Sequence, residues 1–186
     1  AEFGWGGVFT YPLGTENNPI HPEVEWNDKE TEGTATVTAP VGTTYYSIPA
    51  DGGYVVINGG EPILLGGRDN PTAFAITNDG EAEAEYVIRV YYPEGHYMNP
   101  IVVDSIEEAL TVSVGANSEV YYKWTATADG LLSVTTTNAL ASITVKNNTQ
   151  YIYNDPLEGA GTAYMPIANG DDISFVVTTV MNFETW

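Results

Sequence analysis

Apolar and polar residues alternate in short runs along most of the chain. Ala35-Thr36-Val37-Thr38-Ala39, Tyr46-Ser47-Ile48, Tyr54-Val55-Val56, Ala73-Phe74-Ala75-Ile76 and Tyr86-Val87-Ile88-Arg89-Val90 read with a period near two. That is the period of a strand with one face in a core and the other in water. The pattern resumes in Leu110-Thr111-Val112-Ser113-Val114, Tyr122-Lys123-Trp124, Leu132-Ser133-Val134, Ala141-Ser142-Ile143-Thr144-Val145, Tyr151-Ile152-Tyr153 and Ile173-Ser174-Phe175-Val176-Val177. Thr, Val, Tyr and Ile fill these runs, as a pleated, half-buried surface favours. Turn chemistry separates them, in Asp51-Gly52-Gly53, Asn58-Gly59-Gly60, Asn78-Asp79-Gly80, Asp129-Gly130 and Asn169-Gly170, where positive φ is needed between short strands. The expected fold class is all-β, with antiparallel, jelly-roll-like β-sandwich modules.

A repeat sets the domain organisation. The segment from Tyr11 to Ile20 matches the segment from Tyr92 to Ile101 without a gap, sharing the Tyr-Pro pair, the Gly and Asn-Pro-Ile. In the same order, Thr36-Val37-Thr38 matches Thr111-Val112-Ser113, Tyr45-Tyr46 matches Tyr121-Tyr122, and Asp51-Gly52 matches Asp129-Gly130. Ile76-Thr77-Asn78 then matches Ile167-Ala168-Asn169, each followed by a Gly and an apolar run. The offset drifts, as small loop insertions between strands of fixed order would make it do. The expected organisation is an N-terminal segment 1–10 and two tandem modules, 11–91 and 92–186.

Charge narrows the partners. There are 25 acidic residues against 5 basic ones, for a formal net charge of −20. Such a field repels phosphate backbones and anionic membrane surfaces, so nucleic acid and membrane are not expected partners. It keeps the chain soluble and tolerates neutral ligands such as glycans. There is no cysteine, which excludes disulfides, thiol nucleophiles and thiolate metal sites. A secreted, cell-surface-associated protein is expected, monomeric and forming part of a larger multimodular chain.

The order Gly14…Asn18-Pro19-Ile20, Thr36-Val37…Gly42, Tyr45-Tyr46, Asp51-Gly52, Ile76…Asn78…Gly80 and the terminal Tyr86-Val87-Ile88-Arg89-Val90 strand resembles β-sandwich modules of secreted polysaccharide-adherence proteins of gut Firmicutes. Starch-adherence proteins are one such group. There is a looser similarity to bacterial pre-peptidase C-terminal domains. The resemblance implies carbohydrate binding, with starch or a related α-glucan favoured as the polysaccharide or oligosaccharide partner. Its motifs are turn and core residues, so it transfers a fold and no binding residue.

The residues themselves offer little catalysis. No Gly-x-Ser-x-Gly, His-Glu-x-x-His or P-loop pattern occurs. The two histidines, His21 and His96, sit in Pro/Asn-rich loops and read as solvated. Glu81, Glu83 and Glu85 would share one face of a strand, where solvation is the ordinary role. No enzyme activity is expected. Sugar rings stack on flat aromatic faces while amides, carboxylates and ammonium groups read their hydroxyls, and aromatics make up 12% of this chain. Trp124, Tyr46 and Tyr122 read as core. Trp26, in the polar run Glu23 to Glu30, reads as either a lid on the sandwich or a ligand platform. Tyr151 and Tyr153, projecting to one side with Gln150 and Asn154 beside them, form the expected platform, and Trp5 and Trp186 complete the candidates. No cofactor is expected. Asp51, Asp129, Asp171 and Asp172 stand in turns where calcium is an alternative to plain turn formation.

Overall fold

The computed structural model describes residues 10–66, 73–107, 119–137 and 141–179. It is all-β among these residues, and the chain divides into two compact units, 1–93 and 94–186. The expected strand at Leu110–Val114 and its match to Thr36–Thr38 lie outside the described residues.

The first unit holds β1 (Glu25–Trp26), β2 (Glu32–Ala39), β3 (Gly42–Tyr46), β4 (Tyr54–Ile57), β5 (Ile63–Leu64), β6 (Phe74–Asn78) and β7 (Ala84–Tyr91). One sheet runs β1-β2-β7-β4-β5 and a second pairs β3 with β6, all antiparallel. Alternation sends one side of each strand inward. Ala35, Ala39, Val55, Ile88 and Val90 from the large sheet are buried, as are Tyr46, Phe74 and Ile76 from the small one. A two-layer arrangement hides one face of each sheet in this way.

The second unit holds β8 (Ile101–Val102), β9 (Glu119–Thr125), β10 (Gly130–Thr136), β11 (Ala141–Asn147), β12 (Ile152–Tyr153), β13 (Leu157–Glu158), β14 (Gly161–Ile167) and β15 (Asp172–Thr179). Its large sheet runs β12-β11-β15-β9-β8 with β13 also on β11, and β10 pairs with β14. Tyr122, Trp124, Val145, Ile173 and Phe175 from the large sheet form one core cluster with Leu132 and Met165 from the small one. Among the described residues the strands divide unevenly between the two sheets.

The Gly-x-x-x-Asn-Pro-Ile repeat has a structural job, performed twice with the same bonds. The Gly14 N–H donates to the Asn18 carbonyl at 2.8 Å, and the Gly95 N–H to the Asn99 carbonyl at 2.8 Å. Each glycine carbonyl then accepts from a strand, Gly14 from the Tyr45 N–H and Gly95 from the Tyr121 N–H, both at 2.8 Å. The isoleucine that ends each motif runs parallel to the same strand, Ile20 beside Tyr46 and Ile101 beside Tyr122. Both glycines sit at positive φ, 92° and 96°. A Cβ would meet Thr44 in one unit and Val120 in the other at 3.1 Å. Gly14→Ala and Gly95→Ala are therefore expected to destabilise their units by more than about 1 kcal/mol each, read as a lowered midpoint in urea.

The tied-down strands nevertheless have different neighbours. In the first unit the Tyr45-Tyr46 strand pairs with β6, whereas in the second the Tyr121-Tyr122 strand pairs with β15. The repeat thus preserves the tether and the buried tyrosine, Tyr46 at 2% exposure and Tyr122 at 9%, while the described strand pairing differs. Tyr92 and Pro93 also fall in the first unit, two residues beyond the boundary the repeat implies.

Candidate functional site

The most exposed aromatic among the described residues is Tyr151, at 77%. It closes the turn 148–151 between β11 and β12, and its φ is +58°. An aromatic residue in the left-handed region is an outlier that costs about 1–3 kcal/mol and persists only where its surroundings impose it.

Those surroundings are a buried polar knot. Asn147, the last residue of β11, is fully buried. Its side-chain oxygen accepts the Thr149 N–H at 3.1 Å and the Gln150 N–H at 2.9 Å. Its Nδ2 donates to Asp171 Oδ2 at 2.8 Å. The same carboxylate oxygen accepts from Gln150 Nε2 at 2.6 Å and the Ala168 N–H at 2.9 Å. Asp172 N–H donates to Thr149 Oγ1, and Asn148 Nδ2 to Ser174 Oγ, lashing the turn to β15. The turn backbone has little freedom left, which is why Tyr151 can be held outward.

The Asn147 amide, followed by the Ala168 N–H, holds the Asp171 carboxyl below its ordinary value. Burial opposes them, and Gln150 adds to the lowering. A carboxyl depressed in the folded state contributes stability that is present above its unfolded pKa, about 3.9, and is lost as pH falls through the lower folded value. Asp171→Asn is thus expected to melt below the parent at neutral pH, with the gap closing below about pH 4, as read by thermal unfolding monitored by circular dichroism.

Two further tyrosines of the second unit are exposed. Tyr153 on β12 is 55% exposed, while its neighbour Ile152 packs against the core cluster. Tyr164 on β14 is 59% exposed beside Met165 at 1%, so alternation sends Tyr164 outward. Asn154 joins the two strands: its N–H donates to the Val145 carbonyl at 3.1 Å and its Nδ2 to the Tyr164 carbonyl at 2.9 Å. Register extends the exposed side from Tyr153 across the large sheet, since Tyr153 lies opposite Lys146, Lys146 opposite Ser174, and Ser174 opposite Lys123. Two of the chain's 5 basic residues thus share this row with a tyrosine.

The structure places the expected site residues unequally. Tyr151 and Tyr153 are exposed and two residues apart, but strand alternation begins only at Ile152, so the turn and not a shared strand face directs Tyr151. Gln150 and Asn154 are beside them, yet each spends amide donors on internal bonds. Lys146 lies opposite Tyr153 in register. No local sequence signal groups Tyr164 or Lys146 with Tyr151 and Tyr153. The β14 strand lacks a β-branched run and contains Pro166, which a strand tolerates only at an edge. Among the described residues β14 does have β10 as its one ladder partner.

Trp26 is elsewhere, in the first unit, and is half-buried. Its indole stacks on Tyr92 with centroids 6.0 Å apart and planes 16° apart. It also lies over Gly33, where an added Cβ would come within 3.1 Å of the ring. This geometry is that of a lid. Trp5 and Trp186 lie outside the described residues. The outer face of the first unit's large sheet carries a second aromatic group, Tyr54 and Tyr91, stacked at 5.7 Å. Arg89 lies 4.4 Å over the Tyr91 ring and binds Glu32 at 2.6 Å. Tyr91 is therefore packed by Tyr54 and Arg89 of its own unit.

Asp129, Asp171 and Asp172 accept hydrogen bonds within the fold. Asp129 Oδ1 accepts the Asn169 N–H at 2.9 Å, and Asp171 serves the knot. No group of three or more His, Asp or Glu able to hold a metal ion occurs among the described residues. Glu81 and Glu83 precede β7, so they do not share a strand face with Glu85, and all three are exposed.

No protein-family model matches the chain, and no curated protein matches it significantly.

Proposed function

We propose that the protein binds a carbohydrate, without chemistry, on the second unit through Tyr151, Tyr153 and Tyr164. The observation that carries this reading is Tyr151, a large apolar ring kept in water by a backbone conformation that a buried hydrogen-bonded knot enforces. The ring, 77% exposed, adds little to the core, whereas a pyranose face gains from it, because an aromatic ring offers it a rigid contact with little entropy to lose. Lys146, opposite Tyr153, supplies hydrogen-bond donors for hydroxyls. A net charge of −20 favours a neutral glycan. The sequence resemblance to starch-adherence modules favours an α-glucan, and with it a secreted, cell-surface setting as part of a larger multimodular protein.

Affinity electrophoresis tests the reading. Retardation in gels containing amylopectin is expected, with weaker or no retardation in xylan and glucomannan. Unaltered mobility in all three would defeat it. That outcome would favour a spacer without a ligand, a reading supported by the internal bonds that occupy the Gln150 and Asn154 amides.

A further inference from the structure

The repeat places Tyr11 and Tyr92 at the same position, each followed by a proline and opening the approach to a tether glycine. The tethers that follow them match bond for bond, at Gly14 and Gly95. Their environments do not match. Tyr92 is 7% exposed: Trp26 stacks on its ring, and its N–H donates to the Thr31 carbonyl at 2.9 Å. Tyr11 is 54% exposed, and Leu13, just after it, is 70% exposed.

The residue that opens the second tether is thus packed by the first unit. It belongs to that unit by contact although the repeat assigns it to the second copy. The receiving surface is built for this. Asn27 caps the loop after Trp26, its Oδ1 accepting the Thr31 N–H at 2.8 Å and its Nδ2 donating to Thr31 Oγ1 at 2.9 Å. The loop therefore presents the Thr31 carbonyl and the Trp26 ring together.

From this we infer that Tyr11 is a docking residue for a preceding module of the same kind. That module would lay a tryptophan from its own first short strand on Tyr11 and accept the Tyr11 N–H on a loop carbonyl. A lone exposed tyrosine is ordinary; the packed state of its counterpart in the same chain is what identifies the missing cover. Trp26 of a second molecule would not serve, because it is already taken by Tyr92, and the second copy has no tryptophan between Ile101 and Glu119 to offer. The contact belongs to a module joined in line, and it is independent of whether the protein binds glycan.

An extended chain tests this: residues 11–91 placed directly ahead of residues 11–186, which recreates the Tyr91-to-Tyr92 junction at the new joint. Hydroxyl-radical footprinting read by mass spectrometry should show the internal Tyr11 falling to the low reactivity of Tyr92. Trp26→Ala in the added copy should restore its reactivity. Tyr11→Ala should lower the melting temperature of the extended chain and leave that of the original chain unchanged. Tyr11 remaining as reactive in the extended chain as in the original overturns the inference. The original chain gives a second check that needs no extension. Trp26→Ala there should raise Tyr92 reactivity several-fold, and continued protection of Tyr92 would remove the basis for assigning Trp26 as the cover. Concentration-dependent self-association abolished by Tyr11→Ala would contradict the in-line assignment.

Discussion

Tyr153→Ala with Tyr164→Ala is expected to abolish retardation in an amylopectin gel while leaving the fold intact. Central aromatic contacts in a binding site lose about 2 kcal/mol each on truncation, so the pair corresponds to roughly a thousandfold in affinity. Both side chains are more than half exposed, so their removal leaves no cavity and the far-ultraviolet circular dichroism should be unchanged. Trp26→Ala is the informative contrast. It removes the largest aromatic among the expected site residues that the structure describes, yet it acts on the first unit's lid, and retardation should persist. Loss of retardation in Trp26→Ala but not in the tyrosine pair would move the site to the first unit.

Trp124→Ala should be the most damaging single change to the second unit's stability. The indole is 4% exposed, opposite Ile173, and packs in the cluster with Tyr122, Leu132, Val145 and Met165. Truncating a buried tryptophan costs about 3–5 kcal/mol through lost transfer energy and the cavity left behind. For a unit of this size each kcal/mol moves the melting temperature by about 4–8 °C, so a fall of roughly 12 °C or more is expected. Amide hydrogen exchange should accelerate in β9, β11 and β15. Residues of β2 and β7, whose buried side chains lie in the first unit, should be spared.

The long strands were legible because their alternation records which face is buried. The runs at Ala35–Ala39, Tyr86–Val90, Ala141–Val145 and Ile173–Val177 all lie within strands, and Trp124, Tyr46 and Tyr122 are core as their periodicity indicates. Edge elements were less visible. Of the five two-residue strands among the described residues, β1, β5, β8 and β13 left no period in the sequence, and β14 is disguised by Gly161 and Pro166. The run from Tyr46 to Ile48 belongs to β3 only at Tyr46; beyond it the Ser47 N–H donates to the Ile20 carbonyl.

The repeat was legible as a repeat, but its meaning was not. Identical residues at Gly14 and Gly95 encode one tether, while strand pairing depends on long-range contacts that local identity does not fix. The proposed site was half legible. Tyr151 and Tyr153 stand out as aromatics flanked by amides, but the knot that positions Tyr151 joins Asn147 to Asp171 across 24 positions of sequence. No local pattern announces such a pair, nor does one place Tyr164 next to Asn154.

The central claim is that exposed tyrosines of the second unit meet the glycan. Its most direct measurement is a titration of the tyrosine-ring-labelled protein with a soluble malto-oligosaccharide, followed by NMR. Tryptophan emission is a poor reporter, since Trp124 is buried and Trp26 stacks on Tyr92. The ring signals of Tyr151, Tyr153 and Tyr164 should shift together and saturate, while those of Tyr46 and Tyr122 stay in place. Three unmoved signals at millimolar ligand, or shifts confined to Tyr54 and Tyr91, would contradict the account.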